Sequence, residues 1–192
     1  MNKWTKTHVV VSGLDRNQLD NLYNVIKKLS VSYPQKSPKS FKYEDLLKEL
    51  GVNANKVLCS GYAEKVTQRQ DGIIEWEEYR QGLDQKDVYK ELASYFKGVK
   101  ITYCGLDSEN IPFITNDVEG LFFPHRFVVI EVLDDEKEIT LINTFDELSD
   151  YISEHYGTTI SSPADIPSFN QSSPHTRVSE IVLMKTQYYQ PK

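Results

Sequence analysis

The sequence predicts an α+β fold: a ferredoxin-like sheet made of two split βαβ halves, an extra N-terminal helix, and a C-terminal β-hairpin plus helix as an extension. Three observations predict it. Strand-like alternation and helix-like stripes follow one another as β, α, an extra α, β, β, α, β. The two strongest helical patterns hold equivalent places in the two halves. The stretch from Asp71 to Thr115 carries strand, helix, strand and hairpin signals, each with its own turn residues. A parallel doubly wound sheet is the alternative, but it needs more strand–helix alternations and a nucleotide-binding turn.

Thr7 to Ser12 alternates as a first strand behind a polar six-residue leader, and Gly13 ends it. Asp15 can cap the next helix, in which Leu19, Leu22, Tyr23, Ile26 and Leu29 keep helical spacing to Ser30. Gly13-Leu14-Asp15 is a tight strand-to-helix turn, since one glycine is far short of a phosphate-binding loop. A Pro- and Ser-containing loop leads to a shorter helix with Ser40 as cap, Tyr43, Leu46, Leu47 and Leu50 as stripe, and Gly51 as stop. Lys56 to Val66 reads as a strand with a bulge at Gly61, and Thr67 to Gly72 as a loop.

From Ile73 to Arg80, Ile74 and Trp76 share one strand face and Glu75, Glu77 and Tyr79 the other. Asp84 stands at an N-cap position. Val88, Leu92, Tyr95 and Phe96 form the following stripe, and Gly98 the left-handed stop. Val99 to Cys104 alternates as a strand, Gly105 to Asn110 turns, and Pro112 to Thr115 folds back. Arg126 to Leu133 is an apolar strand, Asp134 to Lys137 a charged turn, and Glu138 to Ile142 its hairpin partner. Thr144 and Glu147 make a capping box for a helix that runs to Gly157. The Ser- and Pro-rich span 158–176 is read as irregular, and Ile181 to Lys185 as a last strand that must pair with an existing sheet. Residues 1–120 form the expected core, and 121–192 an extension and tail packed with it as one unit.

At 192 residues, with 39% hydrophobic and 26% charged content, the chain can bury a core without disulfides. Cys59 and Cys104 are therefore read as buried free thiols. No apolar run matches a bilayer and the N-terminus has no signal-peptide core, so a cytoplasmic protein is expected. Net charge is −6 but uneven: residues 1–56 hold ten Lys/Arg and five Asp/Glu, hence +5, and the remainder twelve and twenty-three, hence −11. That excess argues against nucleic acid and for a basic protein partner.

Catalytic motifs are missing around His8, His125, His155 and His175, with no HExxH, CxxC or GxSxG pattern, so no metal and no cofactor is expected. Asp107, Glu109, Asn116, Asp117 and Glu119 lack the spacing of a calcium loop and read as solvated hairpin ends. His155 reads as a cation near a helix C-terminus. Glu75, Glu77 and Tyr79 stand out because i, i+2 spacing in a strand puts them together on one face. They are the candidate protein-binding residues; as a carboxylate pair, Glu75 and Glu77 also give a rival reading as a small hydrolase or transferase, converging with His125 or Arg126. A nucleic-acid-binding module is the other rival, although no strand matches the aromatic motif of an RNA-recognition sheet.

The order of elements, with THVVVSGLDRNQLDNLYNVIKKL at the front and GIIEWEEYRQGLDQKDVYKELASYFKGVKITYCGLDSENIPFIT behind, resembles the YubB-like ferredoxin-like proteins of plasmids and phages over residues 7–120. That resemblance implies a mobile-element origin and brings no catalytic residues. The expectation is a non-enzymatic accessory protein acting by protein–protein binding.

Overall fold

The computed structural model describes residues 4–31, 40–52, 61–81, 86–106, 112–133, 136–172, 180–185 and 187–188. The fold is α+β with mostly antiparallel strand pairing. The chain divides into two compact units, Met1–Asn110 and Ile111–Lys192.

In the first unit β1 (Trp4–Ser12), α1 (Arg16–Val31), α2 (Tyr43–Glu49), β2 (Tyr62–Gln68), β3 (Ile74–Gln81), α3 (Lys86–Tyr95) and β4 (Lys100–Leu106) follow in order. The strands lie side by side as β2-β3-β1-β4, and β1 pairs antiparallel with both β3 and β4. β1 begins at Trp4, so part of the supposed polar leader is strand. Val9 and Val11 join Ile74 and Trp76 in the core, the register setting Val9 against Trp76 and Val11 against Ile74, while Val10, beside Glu75, is buried as well.

Asp15 caps α1 as expected. Its Oδ1 accepts from Gln18 N at 2.9 Å, and Gln18 Oε1 accepts from Asp15 N at 3.0 Å, a reciprocal cap. Ser40 does not cap α2: Lys42 holds the cap position without a side-chain bond, while Ser40 is buried. The α3 stripe is also shifted. Tyr95 is 44% exposed, and Tyr89 is buried instead with Val88, Leu92 and Phe96. Turning the buried arc toward Tyr89 lets its hydroxyl reach β3, a gain that the helical wheel does not show. β2 carries its bulge between Glu64 and Thr67, not at Gly61, and continues to Gln68 inside the supposed loop. Strand β4 likewise runs on to Leu106 through part of the supposed turn, and Cys104 is a buried thiol outside any disulfide. Cys59, Asp84, Asp107, Glu109 and His175 lie outside the described residues.

In the second unit β5 (Pro112–Thr115) pairs parallel with β9 (Gln187–Tyr188). A three-stranded antiparallel sheet, β7-β6-β8, is made by β6 (Phe127–Leu133), β7 (Glu136–Ile142) and β8 (Glu180–Lys185). β8 thus pairs with a sheet as its apolar sequence requires. β7 starts at Glu136, so two residues of the supposed charged turn are strand. Thr144 caps α4 (Phe145–Tyr156) by accepting from Glu147 N at 3.2 Å, and Gly157 ends it at φ +63°.

The span read as irregular contains a 3-10 turn (Pro163–Asp165) and a helix, α5 (Ile166–Gln171). Ser162 and Asp165 form a capping box ahead of it, and Pro at the first positions needs no hydrogen bond there. Ile166 and Phe169 point into a core with Phe127, Val129, Leu148 and Ile152. Burying two such side chains stabilises by about 3–6 kcal/mol, enough to order a short polar-rich segment.

Gly13 holds φ +78°, and a Cβ there would stand 2.7 Å from the Gly98 carbonyl oxygen. The turn that opens α1 therefore touches the turn that closes α3. Gly13→Ala should destabilise the chain by about 1–3 kcal/mol in urea unfolding, since strain and a backbone clash act together. A loss under about 0.5 kcal/mol would mean that the two turns can part freely.

Candidate functional site

The structure brings Glu75, Glu77 and Tyr79 onto one face of β3, as the alternation predicts, and adds neighbours from β1 and β2. The register sets Lys6 beside Tyr79, His8 beside Glu77, Tyr62 beside Tyr79 and Glu64 beside Glu77. Two carboxylates directly opposite repel each other. The bulge answers this: Lys65, at φ +55°, bonds Glu77 Oε2 at 2.7 Å. Lys6 binds the other oxygen at 3.0 Å, and the Tyr79 hydroxyl donates to Glu77 Oε2 at 3.0 Å. Left-handed backbone at a residue other than glycine costs on the order of 1 kcal/mol, so the ammonium is placed there against a local preference.

Burial pushes the Glu77 carboxyl up, but hydrogen bonds from Lys65, Lys6 and Tyr79 outweigh it and leave it below the ordinary carboxylate range. Glu77 is thus a fixed anion. Tyr79 is pushed above its ordinary value by burial and then by its bond to Glu77. Glu75 accepts from the Thr67 hydroxyl at 3.0 Å and has His8 Nε2 at 3.8 Å. Burial lowers His8 despite the attraction of Glu75 and Glu77, which leaves its ring neutral at pH 7. Tyr79 stacks on Tyr62 with centroids 5.7 Å apart and planes 18° from parallel. The arrangement presents Glu64, Glu75 and Glu77 with Lys6 and Lys65 around a stacked aromatic pair. It holds its carboxylate ionised instead of readying it to give a proton.

His125 and Arg126 have other occupations. His125 Nδ1 lies 2.9 Å from Asn143 Oδ1. Arg126 donates to the carbonyls of Asp117, Val118 and Phe123, while Asp117 accepts from the amides of Phe122 and Phe123 at 2.7 and 2.8 Å. Asp117, expected at a solvated hairpin end, is buried as the clamp of this loop. Among the described residues no three His, Cys, Asp or Glu side chains gather as a metal site, and no helix is long and apolar enough to cross a membrane.

Sequence reading passed over a second constellation, on the opposite face of β3. Glu78 is fully buried and its Oε2 accepts from Tyr43 at 2.8 Å and Tyr89 at 2.5 Å. Trp76 Nε1 donates in turn to the Tyr43 oxygen at 2.7 Å. Tyr43 is raised well above its ordinary value, first by burial and then by the Glu78 charge. The signal was present: Glu78 is the next inward position after Ile74 and Trp76.

The second unit repeats the chemistry nearer to solvent. Tyr151 donates to Glu131 Oε2 at 2.6 Å and Tyr156 donates to Glu131 Oε1. His155 stacks on Tyr151 at 4.0 Å and donates from Nδ1 to the Tyr151 carbonyl at 2.9 Å, so it serves the last turn of α4. Burial, then the bond to Glu131, pushes Tyr151 up to about 12. The folded value lies above the unfolded one of about 10, so this contribution is whole below pH 10 and fades as pH rises toward 12. Alkaline unfolding of the native chain should therefore steepen across that window, and Tyr151→Phe should flatten it. An identical pH profile for both proteins would contradict the assignment.

No family model, no curated protein and no solved structure matches this chain.

Proposed function

We propose that this chain is a non-enzymatic accessory protein that binds another protein through the β1–β2–β3 face bearing Glu75, Glu77 and Tyr79. One observation carries the reading: Lys65 accepts a left-handed backbone and thereby supplies Glu77 with a second ammonium beside a stacked tyrosine pair. Such strain kept on a half-exposed face speaks for a surface held in one geometry. Tyrosines give rigid contact area at small entropic cost, and fixed charges around them select the partner. A general acid would instead have its pKa raised by its surroundings, and Glu77 is lowered.

The acidic excess beyond residue 56 favours a basic partner. Strand order β2-β3-β1-β4 with two split connections supports a ferredoxin-like description of the first unit, and the proposal extends to kinship with the YubB-like proteins, a mobile-element setting and a cytoplasmic location. One observation favours nucleic acid as the second reading: stacked aromatics flanked by Lys6 and Lys65 on a sheet face can take bases. Glu64, Glu75 and Glu77 beside them would repel phosphates.

The test compares the full chain with a Glu75→Lys/Tyr79→Ala variant of equal thermal stability, as baits in a lysate of the source cell at low and at moderate salt. A captured protein that fades at moderate salt and binds the variant at least about tenfold more weakly is the expected result. Capture indifferent to both changes contradicts the proposed face. Tight binding of a single-stranded oligonucleotide, abolished by Tyr79→Ala, would install the second reading.

A further inference from the structure

β7 is a sheet edge guarded along only half its length. It pairs with β6 from Glu136 to Ile142, and in the order β7-β6-β8 no strand among the described residues lies on its other side. Glu136, Lys137 and Glu138 are charged and exposed, which is how soluble proteins protect such an edge. Ile139-Thr140-Leu141-Ile142 carries none of that protection. One face of this sheet joins α4 through Phe127, Val129 and Ile142. Alternation sends Ile139 and Leu141 to the opposite face, where they are 37% and 39% exposed. They stand beside Ile130 and Val128 in the register, so the apolar strip of β6 runs out to an edge that no described strand covers.

We infer that β7 pairs with itself: two copies of this chain join β7 to β7, antiparallel about a twofold axis through Thr140, into one continuous sheet. The strand's own sequence selects a second copy as the occupant. In this register Ile139 faces Leu141 of the partner subunit and Leu141 faces Ile139 of the partner subunit, so the exposed pair of each copy covers that of the other. Glu138 faces Ile142 of the partner subunit and Lys137 faces Asn143 of the partner subunit, and no like charges meet. An axis at Glu138 would oppose Glu138 to its own copy. An axis at Lys137 would oppose two lysines and set Glu136 against Glu138 of the partner subunit. The charged half of the strand thus penalises axes at Glu138 and Lys137, while the apolar half gains by the axis at Thr140. An edge pairing falls below the roughly 1,200 Å² of a standard interface, so the dimer is weak and concentration-dependent. The inference is independent of the proposed binding face, which belongs to the other unit.

Analytical ultracentrifugation of the full chain across a concentration series tests it, with amide hydrogen exchange followed over residues 139–142. The expected result is a monomer–dimer equilibrium, exchange in that segment that slows as concentration rises, and a dimer dissociation constant at least about tenfold higher for Ile139→Lys or Leu141→Lys. A chain that stays monomeric throughout overturns the inference, as does a dimer that both variants leave intact. If the lysine variants fail to fold, the native chain decides alone: concentration-dependent protection of 139–142 supports self-pairing, and concentration-independent exchange there overturns it.

Discussion

A carboxylate sealed from water organises the first unit. Glu78 sits at the junction of β3 with α2 and α3, and its position is tolerable because hydroxyls arrive from both helices, Tyr43 from α2 and Tyr89 from α3. A buried polar group left without its hydrogen bonds costs about 1–3 kcal/mol, and the two phenols supply those bonds to Glu78 Oε2. The two helices are therefore required where they are, since a shift of either takes a hydrogen bond from the buried carboxyl. Around this point Phe41, Tyr43 and Trp76 meet edge-on, with Phe41 5.6 Å from Trp76 at 78° and 5.5 Å from Tyr43 at 81°. Apolar packing alone would allow these rings several arrangements, whereas Trp76 Nε1 donating to Tyr43 selects one.

The same pairing recurs through the chain. Tyr79 serves Glu77, and Tyr151 and Tyr156 serve Glu131, so among the described residues Tyr43, Tyr79, Tyr89, Tyr151 and Tyr156 each donate to a glutamate. A chain with twelve tyrosines is suited to contact surfaces. Much of that tyrosine is instead internal wiring in a protein that carries an acidic surplus, where each phenol offers a donor without adding charge. At Glu77 the wiring reaches the surface and lysines join it, which is why that face, of all those bearing carboxylates, is the one proposed for recognition.

Elements with strong periodicity and capping chemistry were legible: α1 with Asp15, α4 with Thr144 and Gly157, and the division of β3 into two faces. The departures share a physical cause, a tertiary contact overriding a local pattern. Tyr89 replaces Tyr95 in the buried arc because Glu78 needs its hydroxyl. The bulge lies at Lys65, next to the facing Glu64 and Glu77, where its ammonium reaches Glu77, and no glycine announces it. Helix α5 is hidden by its serines and prolines, since only Ile166 and Phe169, three residues apart, carry its apolar face. Within the candidate site, Glu75, Glu77 and Tyr79 could be grouped from the strand period. Lys6, Tyr62 and Lys65 could not, because cross-strand register is set by pairing and not by spacing.

If Glu78 is the constraint on which the first unit depends, the Tyr89 hydroxyl should matter only while that carboxylate is present. The direct measurement is a double-mutant cycle of Tyr89→Phe with Glu78→Leu, read by equilibrium unfolding. The account predicts a cost of about 1–3 kcal/mol for Tyr89→Phe in the native background and close to none once Leu stands at position 78. An equal cost in both backgrounds would show that Tyr89 stabilises through its ring alone and that the buried carboxylate does not hold the helices to the sheet.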